Sequence, residues 1–151
     1  MLNPEKISIA DFKILKGQID SPLDFDVSQI EDHHFEVAFH LSFDLENKLA
    51  KADFSVDIST KGEGSITASG FFHVVFFFQI DNLEELVEIQ EDHSMKVQAS
   101  LGNALASITY STTRGILMTR FQGTGLQLFI LPVIDPNKLL EPLTAHKTIS
   151  K

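Results

Sequence analysis

The stretch that decides the fold is Leu101–Leu140, LGNALASITYSTTRGILMTRFQGTGLQLFILPVIDPNKLL. From Ser100 it reads as one long helix. Leu101, Leu105, Ile108 and Ile116 recur on one side, and Tyr110, Leu117 and Phe121 on another. Gly102, Ala104, Ala106 and Ser107 are small enough to let a sheet or a second helix come close. Two apolar sides predict two packed faces, one of them open to another subunit. Gly123-Thr124-Gly125 ends the helix. Leu126–Ile134 follows as an extended apolar segment, and Pro132 keeps it out of a central strand. Asp135-Pro136 starts a short helix through Leu140, which Pro142 stops; the tail, residues 144–151, is expected to fray.

A helix with that much apolar surface needs a sheet to lie on, and the preceding residues supply one. Phe35–Glu46 alternates Phe35, Val37, Phe39, Leu41, Phe43 and Leu45 with polar residues. That period predicts a strand with one face buried and one solvated, as in an antiparallel sheet covered on one side. Asn47-Lys48 is its hairpin turn, and Ala50, Ala52, Phe54, Val56 and Ile58 continue as the partner strand. Lys61–Gly64 turns again. Ser65–Ile80 returns as a third strand, but Phe71–Phe78 is apolar on both faces, so its outer face must meet something. Lys6–Leu15 reads as a further strand whose phase slips at Ala10-Asp11, the sign of a bulge. Gly17–Glu31 reads as a long ordered loop, and Asp81-Asn82-Leu83-Glu84 as the start of a helix with an acidic outer face through Asp92. The sum is an α+β fold: a four-stranded antiparallel sheet packed by a long helix in the C-terminal half plus short helices. Residues 1–143 form the single domain.

Composition bounds the function. A chain of 151 residues makes one domain with its own core. Thirteen Phe against a single Tyr and no Trp give an aromatic content that is almost wholly apolar. It suits a core, or a surface that holds greasy partners. The net charge of −9 repels phosphate backbones, so no nucleic-acid partner is expected. No Cys excludes disulfides, zinc–thiolate sites and thiol catalysis. MLNPEKISIADF has neither a basic n-region nor an apolar run, and the longest apolar run, Val74–Phe78, is too short to span a bilayer. A cytoplasmic protein without membrane insertion is expected.

Candidate chemistry is sparse. His34, Glu36 and His40 share a strand face, yet there is no His-x-His or His-Glu-x-x-His pair, and no metal site is expected. No Gly-x-Ser-x-Gly elbow or phosphate-binding loop occurs, so no catalytic residue, enzyme activity or cofactor is assigned.

The order of parts from Leu101 onward resembles the closing segment of SecB-like export chaperones. Leu101-Gly102-Asn103-Ala104 looks like that family's helix opening, and Tyr110-Ser-Thr-Thr-Arg114-Gly-Ile116 is similar to its Phe-Pro-Tyr-x-Arg-x-x-Ile segment. Gly123-Thr124-Gly125-Leu126 stands where the family has Gly-x-Phe-Pro, and Leu131-Pro132-Val133-Ile134-Asp135 matches its Leu-x-Pro-Val/Ile-Asn/Asp. Phe35-Glu36-Val37 looks like its Tyr-Glu-Val strand. The helix lacks the family's Pro after its first aromatic, and the turn lacks its prolines.

The resemblance implies an ATP-independent holdase for unfolded precursor polypeptides, assembled as a homotetramer built as a dimer of dimers, that delivers clients to SecA. A chaperone dedicated to one client, as in a toxin–antitoxin pair, and a small-ligand-binding protein stand as alternatives. Loop position and apolarity select Phe25, Val27, Leu126, Phe129 and Leu139 for the client groove. Asp57 is the nearest match to the family's partner-docking carboxylate.

Overall fold

The computed structural model describes residues 1–141 and the backbone of residues 147–150. Alternation builds its centre. β2 (Ile30–Asp44) and β3 (Leu49–Gly62) pair antiparallel without a register shift from Asp32 to Asp44. Lys48, at φ 56°, closes the turn, and the Asp44 carboxylate accepts from both nitrogens of Asn47. β4 (Ser69–Ile80) pairs with β3, and β1 (Ile7–Asp20) pairs with β4.

β1 runs to Asp20 and β2 begins at Ile30, so the long loop expected over Gly17–Glu31 shrinks to its middle part. Two longer strands consume its ends. The remainder holds a 3₁₀ turn, Val27–Gln29, started by Asp26. The Asp26 carboxylate accepts from the Ser28 hydroxyl and the Ser28 amide, which hold it below the usual carboxylate range.

β1 carries register shifts between Ile9 and Asp11 and between Ile14 and Lys16, which leave Ala10 and Leu15 as the extra residues. The first is the slip read from the sequence. Each shift restores phase, so Phe12 falls opposite Phe76 and Ile14 opposite Val74 on the same face. β4 alternates after all: Phe72, Val74, Phe76 and Phe78 are buried on the inner face. On its outer face Phe71 lies under the Lys16 ammonium, 5.4 Å from the ring centroid. Val75, between Lys13 and Asp53 in register, is buried too.

After β4 the acidic stretch departs from the expected helix. α1 (Leu83–Leu86) is a single turn, followed by a small hairpin of β5 (Val87–Ile89) and β6 (Met95–Val97). Two local preferences defeat the helix. Asn82 precedes the turn without a side-chain capping bond, and His93 adopts φ 66° while Ser94 donates to the Asp92 carboxylate. Gln90 N–H to Ser94 C=O, at 2.8 Å, closes the hairpin.

α2 (Ala99–Arg120) crosses the inner face of the sheet. Leu101, Leu105, Thr109, Thr113 and Leu117 repeat every fourth residue as its buried stripe. Tyr110 meets Phe54 edge-on at 5.7 Å, and Phe121 meets Phe72 at 5.8 Å. Tyr110, Leu117 and Phe121, expected on a second side, are buried on the sheet with that stripe, whereas Ile108 and Ile116, expected on the side of Leu101 and Leu105, are half-buried and Met118 is exposed. α3 (Asn137–Leu140) begins where Asp135 accepts from the Asn137 amide.

Seven of the thirteen phenylalanines are buried to within 2 % in this core. At roughly 1.5–3 kcal/mol each they supply on the order of 10–20 kcal/mol of its cohesion. β7 (Lys147–Ser150) adds a short fifth strand along His34–Val37, giving the order β1-β4-β3-β2-β7. Of the tail expected to fray, residues 144–146 and 151 lie outside the described residues. Among the described residues no helix is long and apolar enough to cross a membrane.

Candidate functional site

A groove of about 960 Å³ opens beside β2. Its floor follows from the alternation of that strand. Phe35 and Val37 are buried under Phe129 and the sheet, but from Phe39 onward the same face is only half-covered. Phe39, Leu41 and Phe43 therefore line the groove, with Val97 of β6 and Leu139 and Leu140 of α3 as the opposite wall. Gly102 lets α3 close on α2: a Cβ there would stand 3.3 Å from Leu140 Cδ1. In the α2 wall the Oδ1 atom of Asn103 is buried with no hydrogen-bond partner among the described residues.

The lining continues round β2 to residues of the outer face. There His73 Nε2 lies 3.0 Å from Asp53 Oδ1, Lys51 Nζ lies 3.5 Å from Asp53 Oδ2, and His40 is in register with Asp53. The site thus has an apolar floor and a charged lip. His34 sits 3.7 Å from Glu36 along the same strand. No group of three His, Cys, Asp or Glu able to hold a metal occurs among the described residues.

The α3 wall is set by a clamp from α2. Arg114 Nε donates to the Leu131 carbonyl at 2.8 Å, and its Nη2 donates to Pro132 C=O at 3.3 Å. Tyr110 donates its hydroxyl to the same Pro132 carbonyl at 2.6 Å, with the Arg114 guanidinium 5.2 Å from the Tyr110 ring centroid. Pro132 sits where no strand could satisfy its carbonyl, and these two side chains do so instead. Burial pushes the Tyr110 phenol up to about 12 against the opposing pull of Arg114, so the donor is retained across the physiological range.

The residues chosen from the sequence fall in different places. Leu126 and Phe129 are core: Phe129 packs on Phe35 at 5.3 Å and Phe121 at 6.4 Å. Phe25 is half-buried against the Gly125 turn, where a Cβ would stand 2.7 Å from its ring and 2.6 Å from Ala68. It also lines a separate cleft of about 380 Å³ with Asp24, Asp26 and Lys61. Val27 is half-buried in the 3₁₀ turn. Leu139 alone of the five lines the large groove. Asp57 is exposed on the outer face, in register with Glu36 and Phe71. Phe39, Leu41 and Phe43 were legible only as an inward face. Their signal was its length: the apolar alternation continues past the reach of one helix.

No family model matches the chain, and no curated protein matches it by sequence. Among solved structures it resembles the Mycobacterium tuberculosis Rv1957 SecB-like chaperone, in complex with a ChAD peptide from the Rv1956 HigA1 antitoxin. The TM-score is 0.62 at 14% identity, over 86% of this chain and 91% of that one. The fold is SecB-like. A protein of unknown function from Streptococcus agalactiae aligns over 84% of this chain and 97% of its own, at 16% identity, with a TM-score of only 0.32. The SecB-like architecture read from the closing segment is the one observed: four long antiparallel strands, one long helix and short helices.

Proposed function

We propose that the chain is an ATP-independent holdase that binds unfolded polypeptide in the groove beside β2. The observation that carries this reading is the groove itself, apolar on its floor and open along a strand edge. Unfolded chains offer apolar side chains and unpaired backbone together, and such a surface can bury both without reading a sequence. Holding the unfolded state by mass action needs no cofactor or catalytic residue. The net charge of −9 keeps an apolar groove soluble in the cytoplasm.

Assembly as a dimer of dimers fits the other edge of the sheet. β1 has no neighbour beyond it among the described residues, and Ile9 and Leu15 are half or more exposed there. For the client there are two readings. Precursors for export, handed to SecA through an outer face that includes Asp57, are one. A single dedicated partner is the other, favoured by the antitoxin peptide held by the Rv1957 SecB-like chaperone.

The test is dilution of a denatured protein into buffer with the chain at equal subunit concentration and no nucleotide. Light scattering should stay low. Full aggregation with the chain in several-fold excess would end the reading. Loss of SecA binding by Asp57→Lys would then select export, and a lack of SecA binding by the parent chain would select the dedicated client.

A further inference from the structure

The β2 edge is already half occupied. β7, four residues of the chain's own tail, pairs antiparallel with His34–Val37, and the same edge from Ala38 to Asp44 has no strand beside it among the described residues. The two parts are continuous: the strand runs from Asp32 to Asp44 without a register shift, and Ala38–Phe43 provides one wall of the groove. An added strand could therefore pass from one to the other without a kink.

We infer that Lys147–Ser150 is a built-in occupant of the client position: an unfolded segment adds to the β2 edge as an extended strand and displaces β7. This deepens the holdase reading and rests on it. The register defines the client's chemistry. Ile149 lies opposite Phe35 and Thr148 opposite Glu36. Extended along the edge, the same alternation puts apolar residues opposite Phe39, Leu41 and Phe43. Polar or basic residues then fall opposite His40, Ser42 and Asp44, on the face that carries Glu36, Asp53 and Asp57. The tail's own Lys-Thr-Ile-Ser-Lys is a short version of that pattern. The client class is an extended segment that alternates apolar with neutral or basic residues.

Displacement follows from lengths. The described part of β7 pairs with four residues of β2 and so makes few ladder bonds, and as part of the same chain it meets the edge at an effective concentration of order millimolar. A longer client strand pairs with the same residues and fills the groove as well. Each client then binds more weakly than to an empty edge, in inverse proportion to the fraction of molecules with β7 undocked.

The experiment uses the full chain and fluorescently labelled ribonuclease A, reduced and carboxamidomethylated so that it is basic and cannot refold. In the Thr148→Pro/Ile149→Pro variant the tail loses whichever of the two N–H groups faces β2, and proline cannot continue the ladder. Anisotropy titration should show binding about three- to tenfold tighter than for the parent chain. Equal or weaker binding by the variant, with the parent binding normally, overturns the displacement model and leaves the holdase reading intact. Absence of binding by both overturns the two together. A second variant locks the tail instead: Glu36→Cys with Thr148→Cys, a register pair in a chain without other cysteines. Oxidation should cut binding at least tenfold, and reduction should restore it. Failure of the pair to cross-link, or full binding when cross-linked, also overturns the proposal.

Discussion

The two edges of the sheet are opposite solutions to one problem. Both present unpaired backbone, which invites another strand. β1 is interrupted at Ala10 and Leu15, and it carries Lys13 and Lys16 on its outer face. β2 is regular from Asp32 to Asp44, bordered by a groove, and, among the described residues, covered along His34–Val37 alone. Bulges and lysines make an edge particular about its partner, whereas a straight edge with an apolar floor accepts many. Under the proposed holdase function the difference says where selectivity would lie: β1 would take one matching surface, β2 varied extended chains.

That contrast can be broken by experiment. The largest expected effect is in the support of β2. Phe129→Ala removes the ring that packs on Phe35 and Phe121, and should cost about 3–5 kcal/mol in urea unfolding. A cost below about 1 kcal/mol would mean that the β2 side is not braced as described. Next, Leu41→Ser should weaken binding of the unfolded ribonuclease probe about tenfold, or roughly 1.4 kcal/mol, without changing assembly size. Unaltered affinity would move the client site elsewhere.

Tyr110→Phe should cost about 1 kcal/mol through loss of the bond to Pro132. Because Tyr110 is the lone tyrosine and Trp is absent, tyrosinate absorbance follows this residue directly. The folded protein should titrate near 12 and the unfolded chain near about 10. With the folded value raised, the stabilisation is whole below pH 10 and drains away as the pH climbs towards 12. The Phe variant should lose that alkaline component. Smallest in folding energy is Ile9→Lys, which should change stability by less than about 0.5 kcal/mol. It should nevertheless shift light scattering to a smaller assembly, and an unchanged mass would remove β1 as an interface.

How much of this could be read beforehand depends on which force dominates each segment. Phe35–Leu45 and Ala50–Ile58 declared themselves because one-sided burial imposes a period of two, and no local preference opposes it. The slip at Ala10 was visible for the same reason. The acidic stretch misled because Glu favours helix in isolation, while the Asp92–Ser94 bonds and the left-handed His93 act through geometry that composition does not display. The groove was the least legible part. Phe129 and Phe43 are chemically identical, and only the limited coverage of the sheet leaves one wholly enclosed and the other half-bare.

The interruptions of β1 carry one more consequence. Ile9 and Asp11 face consecutive residues of β4, as do Ile14 and Lys16. Removing Ala10 or Leu15 would therefore leave every other side chain of the strand pointing where it already points. Deleting Phe12 or Lys13 would instead put the neighbours of Asp11 or Leu15 out of phase with β4. A variant of this chain shortened at those two places would keep its hydrophobic interior. The uninterrupted border left behind would be ready to stack into fibrils.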